Sequence, residues 1–163
     1  RVADPFSPLM LHDWDDDYIP KTTYPNLKTY PKSKTSGWVT VMKPGAKAYK
    51  WETKDFTRPF KSQLLVYELL IRDFTKAQTY KSVIDTLAYL KRLGINAIEL
   101  MPITEFEGNL SWGYNPASHM AIDKYYGSPD DFKALVDACH KNGIAVIMDV
   151  VYNHAFSSAP ICQ

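Results

Sequence analysis

Ile144-Ala145-Val146-Ile147-Met148-Asp149-Val150-Val151-Tyr152-Asn153-His154 is the stretch on which the fold turns. Five apolar residues follow Gly143 without interruption, the length and composition of a strand buried on both faces. Directly after them come a carboxylate, an amide and an imidazole: Asp149, Asn153 and His154. Parallel α/β sheets and barrels keep their chemistry at the C-terminal strand ends, so a site is expected here. By residue type, Asp149 suits a catalytic acid, a metal ligand or an orienting group. His154 suits a general base or a hydrogen-bond donor to a ligand hydroxyl. The Asp-x4-His spacing matches neither a helical His pair nor a Cys/His ribbon, which disfavours zinc.

Upstream, the pattern repeats. Ser128, Pro129, Asp130 and Asp131 form a helix start: a hydroxyl cap, a proline at the first position, and acids on the positive end of the dipole. Phe132, Leu135, Val136 and Cys139 line the buried face, and Gly143 closes the helix. Before it, residues 103–127 read as a long loop. Residues 97–101 are a second short strand, closed by Pro102. A helix over 80–93 carries an apolar stripe of Val83, Ile84, Leu87 and Leu90. Residues 64–71 read as a first buried strand. The order is β-α-β-α-β, which predicts a parallel sheet with helical crossovers. Informative positions then fall after each strand: Arg72-Asp73-Phe74, Trp112-Gly113-Tyr114-Asn115-Pro116, and Asp149 to His154.

Residues 1–62 differ in kind. They hold seven of the prolines and no helical or strand periodicity. They are expected to be an irregular segment that wraps over something larger, with short strand-like pieces such as residues 38–42. Trp14, Trp38, Trp51 and several tyrosines argue against disorder. The run Asp15-Asp16-Asp17 suits a cation, but reads more readily as a solvated loop.

The chain of 163 residues is 45% hydrophobic and 23% charged, a globular composition. A net charge of +1 gives no bulk footprint for nucleic acid. No apolar run approaches the ~20 residues a membrane span needs. Cys139 sits on an apolar helix face and reads as a core residue; Cys162 lies in the tail, and a bond between them is not expected. The 4 Trp and 11 Tyr fill a core or present faces for sugar stacking.

Together these segments resemble the α-amylase family of glycoside hydrolases, in register from about Leu64 to the end. Residues 66–74 are similar to the first strand of pullulanase-like and branching-enzyme-like members. Trp112-Gly113-Tyr114-Asn115-Pro116, Tyr125 to Phe132, and Asp149 to His154 are similar to further family segments. The resemblance implies a partial (β/α)8 TIM barrel of strands 1–3 and helices 1–2 over 63–163. Its N-terminal partner is the irregular, Pro-rich segment 1–62, following a carbohydrate-binding β-sandwich that Arg1-Val2-Ala3-Asp4-Pro5 would exit. It further implies that Tyr114 stacks on the sugar before the scissile bond, beside Trp112, and that His154 bonds a hydroxyl of that sugar. Asp149 and Arg72 would organise the site. Asn153 corresponds to a calcium ligand in many members and not in others, so calcium stays open and no cofactor is required.

The implied activity is retaining hydrolysis of α-glucosidic bonds in starch, glycogen or pullulan. The closest rival is an α-glucan branching transferase; a non-catalytic, amylase-like binding or assembly protein is a further alternative. An unrelated doubly wound protein would carry a Gly-rich loop where Arg72-Asp73-Phe74-Thr75-Lys76 stands. Family catalysis uses three carboxylates after later strands, and none of Asp149, Asp123 or Glu105 is promoted to replace them. The 163 residues are therefore expected to be an inactive piece of the barrel. Its open sheet edges would be covered by the rest of its own chain or by a second copy. The resemblance favours an exported bacterial enzyme over a cytoplasmic one.

Overall fold

A computed structural model describes residues 2–163; Arg1 of the opening motif lies outside the described residues. In chain order the strands and helices are β1 (Met10–Leu11), β2 (Val39–Thr40), β3 (Val66–Leu69), α1 (Ile71–Phe74) and α2 (Tyr80–Arg92). There follow β4 (Ala97–Leu100), β5 (Thr104–Phe106), β6 (Pro116–Ile122), α3 (Pro129–Lys141) and β7 (Ala145–Met148). They fall into two compact units.

One unit, Lys47–Met101 with Tyr126–Asp149, carries the regular α/β structure. Its sheet has the order β3-β4-β7, all parallel, with Ala97 opposite both Val66 and Ala145. Helices α2 and α3 begin where the residue chemistry says they should. Thr79 Oγ1 accepts the Ser82 N–H, and Ser82 Oγ accepts the Thr79 N–H, closing a capping box. Ser128 and Asp131 do the same for α3. Each box satisfies N–H groups that the first turn leaves without helical partners. Val83, Leu87 and Leu90 of α2, and Leu135 and Cys139 of α3, are buried as their spacing requires. Burial pushes the Cys139 thiol up to about 12, so it packs as a small apolar group. Cys139 and Cys162 are both free.

A strap from residues 49–56 lies along α3 in the same unit. Lys133, Asp137 and His140 recur at i, i+4 and i+7, so they share one helix face. Each holds one part of the strap. Lys133 Nζ sits 5.7 Å from the Tyr49 ring centroid. Asp137 accepts the backbone N–H groups of Glu52 and Thr53 at 2.7 and 2.8 Å. Phe56 stacks on His140 with centroids 4.0 Å apart. The Glu52 N–H bond, followed by those from Thr53, holds the Asp137 carboxyl below its ordinary range, while burial holds the His140 imidazole below its own.

The strands correct one expectation. Residues 64–71 are not a uniformly buried strand: β3 spans four residues, Leu65, Val66 and Glu68 are exposed, and the chain turns into α1 at Ile71. In β7, Val146 and Ile147 are half-buried and Met148 is exposed. Both are edge strands, each hydrogen-bonded on one side only within this sheet. An apolar run reports that a strand can be covered, and not whether a neighbour covers it.

The other unit runs to Ala46 and adds Pro102–Tyr125 and Val150–Gln163. Its apolar core is Leu9, Leu11, Ile19, Tyr24, Tyr30 and Val41. Strands β1 and β2 form a two-residue antiparallel ladder, Met10 opposite Thr40. Here a second expectation fails: residues 103–127 are not a long loop. β5 and β6 pair antiparallel, Glu105 opposite Ser118, with irregular register on both sides. Pro-Ala-Ser-His-Met-Ala-Ile lacks clean alternation, and proline at its head suggests a loop. Proline is nonetheless tolerated as the first residue of a strand, which is where Pro116 stands.

Candidate functional site

The β5–β6 hairpin carries most of the candidate residues. Its connecting segment, residues 107–115, is closed by its own hydrogen bonds. Glu107 N–H donates to the Asn115 carbonyl at 3.3 Å, and Asn115 Nδ2 to the Glu107 carbonyl at 3.3 Å. Ser111 Oγ bonds Asn115 Oδ1 and accepts the Gly113 N–H at 2.9 Å. Gly113 has φ +90° and lies against Pro102; a Cβ there would fall 2.2 Å from the Pro102 carbonyl oxygen. No other residue type fits that position. On this fixed frame Trp112 and Tyr114 stand 61% and 40% exposed. Both rings thus keep part of their apolar area in solvent.

The segment after β7 is held by the same hairpin. Phe156 N–H donates to the Pro116 carbonyl at 2.8 Å. His119 Nε2, on β6, is 2.8 Å from the His154 carbonyl oxygen, and the His119 and Tyr152 rings lie 6.3 Å apart. Ser158 Oγ donates to Glu107 Oε2 and accepts the Trp38 indole N–H, both at 3.1 Å. His154 and Asn153 are exposed. Trp112, Tyr114, Asn153 and His154 are thus carried by one hairpin and the segment bound to it. His119, Glu107 and Ser158 hold that arrangement, and no motif or spacing singles them out. Tyr152 and His119, rather than Tyr114 and His154, help line a cavity of about 250 Å³ with Phe6, Ala117 and Met120.

Arg72 and Asp149 belong to the other unit. Arg72 forks onto its neighbour Asp73, Nε to Oδ1 at 2.7 Å and Nη2 to Oδ2 at 2.9 Å. That bond lowers the Asp73 pKa and raises that of Arg72. Gln78 Nε2 donates to the Arg72 carbonyl at 3.0 Å. Asp149 N–H donates to the Leu100 carbonyl at 2.9 Å, extending the β4–β7 ladder by one residue. Asp149 is half-buried.

Glu105 and Asp123, 3% and 1% exposed, are sealed from substrate. Both pack around Lys124, which pairs with Glu105 and, at 3.3 Å, with Asp16. The acidic run Asp15-Asp16-Asp17 is therefore no solvated loop: Asp16 meets Lys124, Asp17 meets Lys32, and Asp15 lies 3.2 Å from His12. Among the described residues no group of three or more His, Cys, Asp or Glu is placed to hold a metal. Nor is any helix among the described residues long and apolar enough to cross a membrane.

The profile of the alpha amylase catalytic domain matches residues 31–160. A malto-oligosyltrehalose trehalohydrolase of Saccharolobus solfataricus is 40% identical over 125 residues, covering 77% of this chain and 22% of the relative. A 1,4-alpha-glucan branching enzyme of Saccharophagus degradans is 38% identical, covering 67% of this chain and 15% of the relative. A group B Streptococcus pullulanase, solved with maltotetraose, superposes with a TM-score of 0.66 at 24% identity, over 94% of this chain and 23% of that one. It shares the fold. The chain thus spans about a fifth of the length of the curated relatives it matches.

Proposed function

The chain belongs to the α-amylase family, and from that premise we propose that it supplies one wall of an α-glucan-binding cleft in a retaining hydrolase. Tyr114 and Trp112 form a platform for the apolar faces of glucose rings, and His154 donates a hydrogen bond to a sugar hydroxyl. The observation that carries this reading is the 107–115 loop: it spends a Gly113–Pro102 contact too close for any Cβ on holding two aromatics in solvent. Two exposed aromatics two residues apart on one braced loop offer the ring faces on which a sugar can stack. Arg72 and Asp149 are assigned to organising the strand ends. The three catalytic carboxylates of the whole enzyme are assigned to other parts of it, since Glu105 and Asp123 cannot reach substrate. The β3 and β7 edges are assigned to pairing with further polypeptide.

A branching transferase is the second reading, favoured by the branching enzyme among the relatives. Both chemistries run through the same sugar platform, so the test addresses the platform. Titration of maltotetraose into the chain, followed by saturation-transfer NMR, should place sugar protons on Trp112 and Tyr114. Tyr114→Ala and His154→Ala should each weaken binding by at least ~10-fold, about 1.4 kcal/mol. Unaltered affinity in both variants refutes the assignment. The chain alone should release no reducing ends from starch, glycogen or pullulan.

A further inference from the structure

Lys124 is a buried ammonium group with more carboxylates around it than it can neutralise. Glu105 comes from β5, Asp123 from the end of β6, and Asp16 from the turn Asp15–Tyr18 in the N-terminal segment. Trp38 covers it, with its ring centroid 5.6 Å from Nζ, and His12 packs on Trp38 at 4.4 Å. The same turn grips the base of the aromatic loop. Asp15 Oδ2 accepts the Gly108 N–H at 3.3 Å, and the Asp15 carbonyl accepts from Asn109 Nδ2 at 2.8 Å. Asp123 in turn accepts the Phe106 N–H at 3.4 Å and the Tyr125 N–H at 2.8 Å. The cluster therefore ties the N-terminal turn to both strands of the hairpin, directly beneath residues 107–115.

We propose that Asp16, Glu105, Asp123 and Lys124 form a buried clasp that seats the N-terminal turn under the 107–115 loop, and that a proton held among its carboxyl groups keeps the clasp closed. One cation facing three ionised carboxylates would leave two uncompensated negative charges buried from solvent, and one or more of those groups stays protonated instead. Glu105 Oε2 has no hydrogen-bond partner among the described residues, so no N–H competes with a proton there. Burial raises Glu105 well above the ordinary carboxylate range and Asp123 to about 7, and it raises Asp16 as well. Burial also opposes the Lys124 charge, but Glu105, Asp16 and Asp123 outweigh it and keep the ammonium protonated.

The charged groups that face Asp123 are Lys124 beside it, Glu105 across the hairpin and Asp15 from the N-terminal turn, while His12 is held by Asp15 and Asp16 of that turn. Its folded pKa lies above its unfolded one. Stability from the closed clasp is therefore complete below the ordinary aspartate value of 3.8 and is lost as pH rises through about 7. Lys124 and Asp123 become positioning residues for the loop. The consequence for sugar binding rests on the reading of Trp112 and Tyr114 as a glucan platform.

Amide hydrogen exchange on the whole chain, corrected for intrinsic rates, tests the clasp directly. From about pH 5.5 to about pH 8.5, protection of residues 107–115 should fall by an order of magnitude or more. Protection of α3 should not change. Asp123→Asn cannot ionise, though it keeps only one of the two acceptors for the Phe106 and Tyr125 N–H groups, so loop protection should be lower but should no longer change between the two pH values; Glu105→Gln serves if that variant fails to fold. A pH-independent loop in the native chain overturns the proposal, and so does an equal loss in the Asn variant. Maltotetraose affinity, measured alongside, should fall with pH in the native chain and not in Asp123→Asn. If exchange behaves as stated and maltotetraose binds at neither pH, the clasp stands and the platform reading falls.

Discussion

Helix α3 and the β5–β6 hairpin are held in place by different physics. Around α3, stability comes from Leu135 and Cys139 on a buried stripe and from a capping box made by residues three apart. Nearly everything that makes α3 a helix lies within the helix or beside it. Around the hairpin, a buried cation is shared with a turn from the far end of the chain, and a glycine is pressed against a proline. Little of that is local. Apolar packing tolerates gradual change, whereas a charge cluster closes only when every member is present. The hairpin is thus the more specific structure and the more fragile one.

The contrast predicts an order of damage. Lys124→Met should be the worst single change, because it strands buried carboxylates; a loss of ~3–5 kcal/mol in urea unfolding is expected. Fluorescence from Trp38 and Trp112 should report it, with α3 amides left protected. Simultaneous loss of both regions would dissolve the distinction drawn here. Leu90→Ala, at a fully buried α2 position, should cost ~2–5 kcal/mol and should open the parallel sheet first. Ser128→Ala removes one half of a capping box and should cost about 1 kcal/mol, read as fraying confined to the first turn of α3. If Ser128→Ala unravelled the hairpin as well, the two regions would be one cooperative body.

This difference also explains what could be read in advance. Ser128-Pro129-Asp130-Asp131 announces a helix because cap, proline and dipole act on neighbouring N–H groups. Helix α2 was legible by a different local signal, the helical spacing of Val83, Leu87 and Leu90. Strand identity was legible, but the exposure of Val66 and Met148 was not, since burial depends on a neighbour that an apolar run does not name. The β6 strand escaped notice because its residues obey no period and begin with proline. Asp15-Asp16-Asp17 looked like a solvated loop because its counter-ion, Lys124, is remote in sequence. At the site, Trp112, Tyr114 and His154 stood out by chemistry. His119, Glu107 and Ser158 did not, since an ordinary polar residue on a strand or loop gives no hint of which carbonyl or carboxylate it will meet.

The strap along α3 has a consequence for how this protein can change. Asp137 recognises residues 52 and 53 chiefly through their amide hydrogens, which almost every amino acid possesses. The side chain at 52 is free to drift through mutation without loosening the attachment. Proline is the exception, since it alone removes the donor. Natural variation at that position should therefore be broad in every direction but one, while Asp137, which supplies both acceptors, should hardly vary at all.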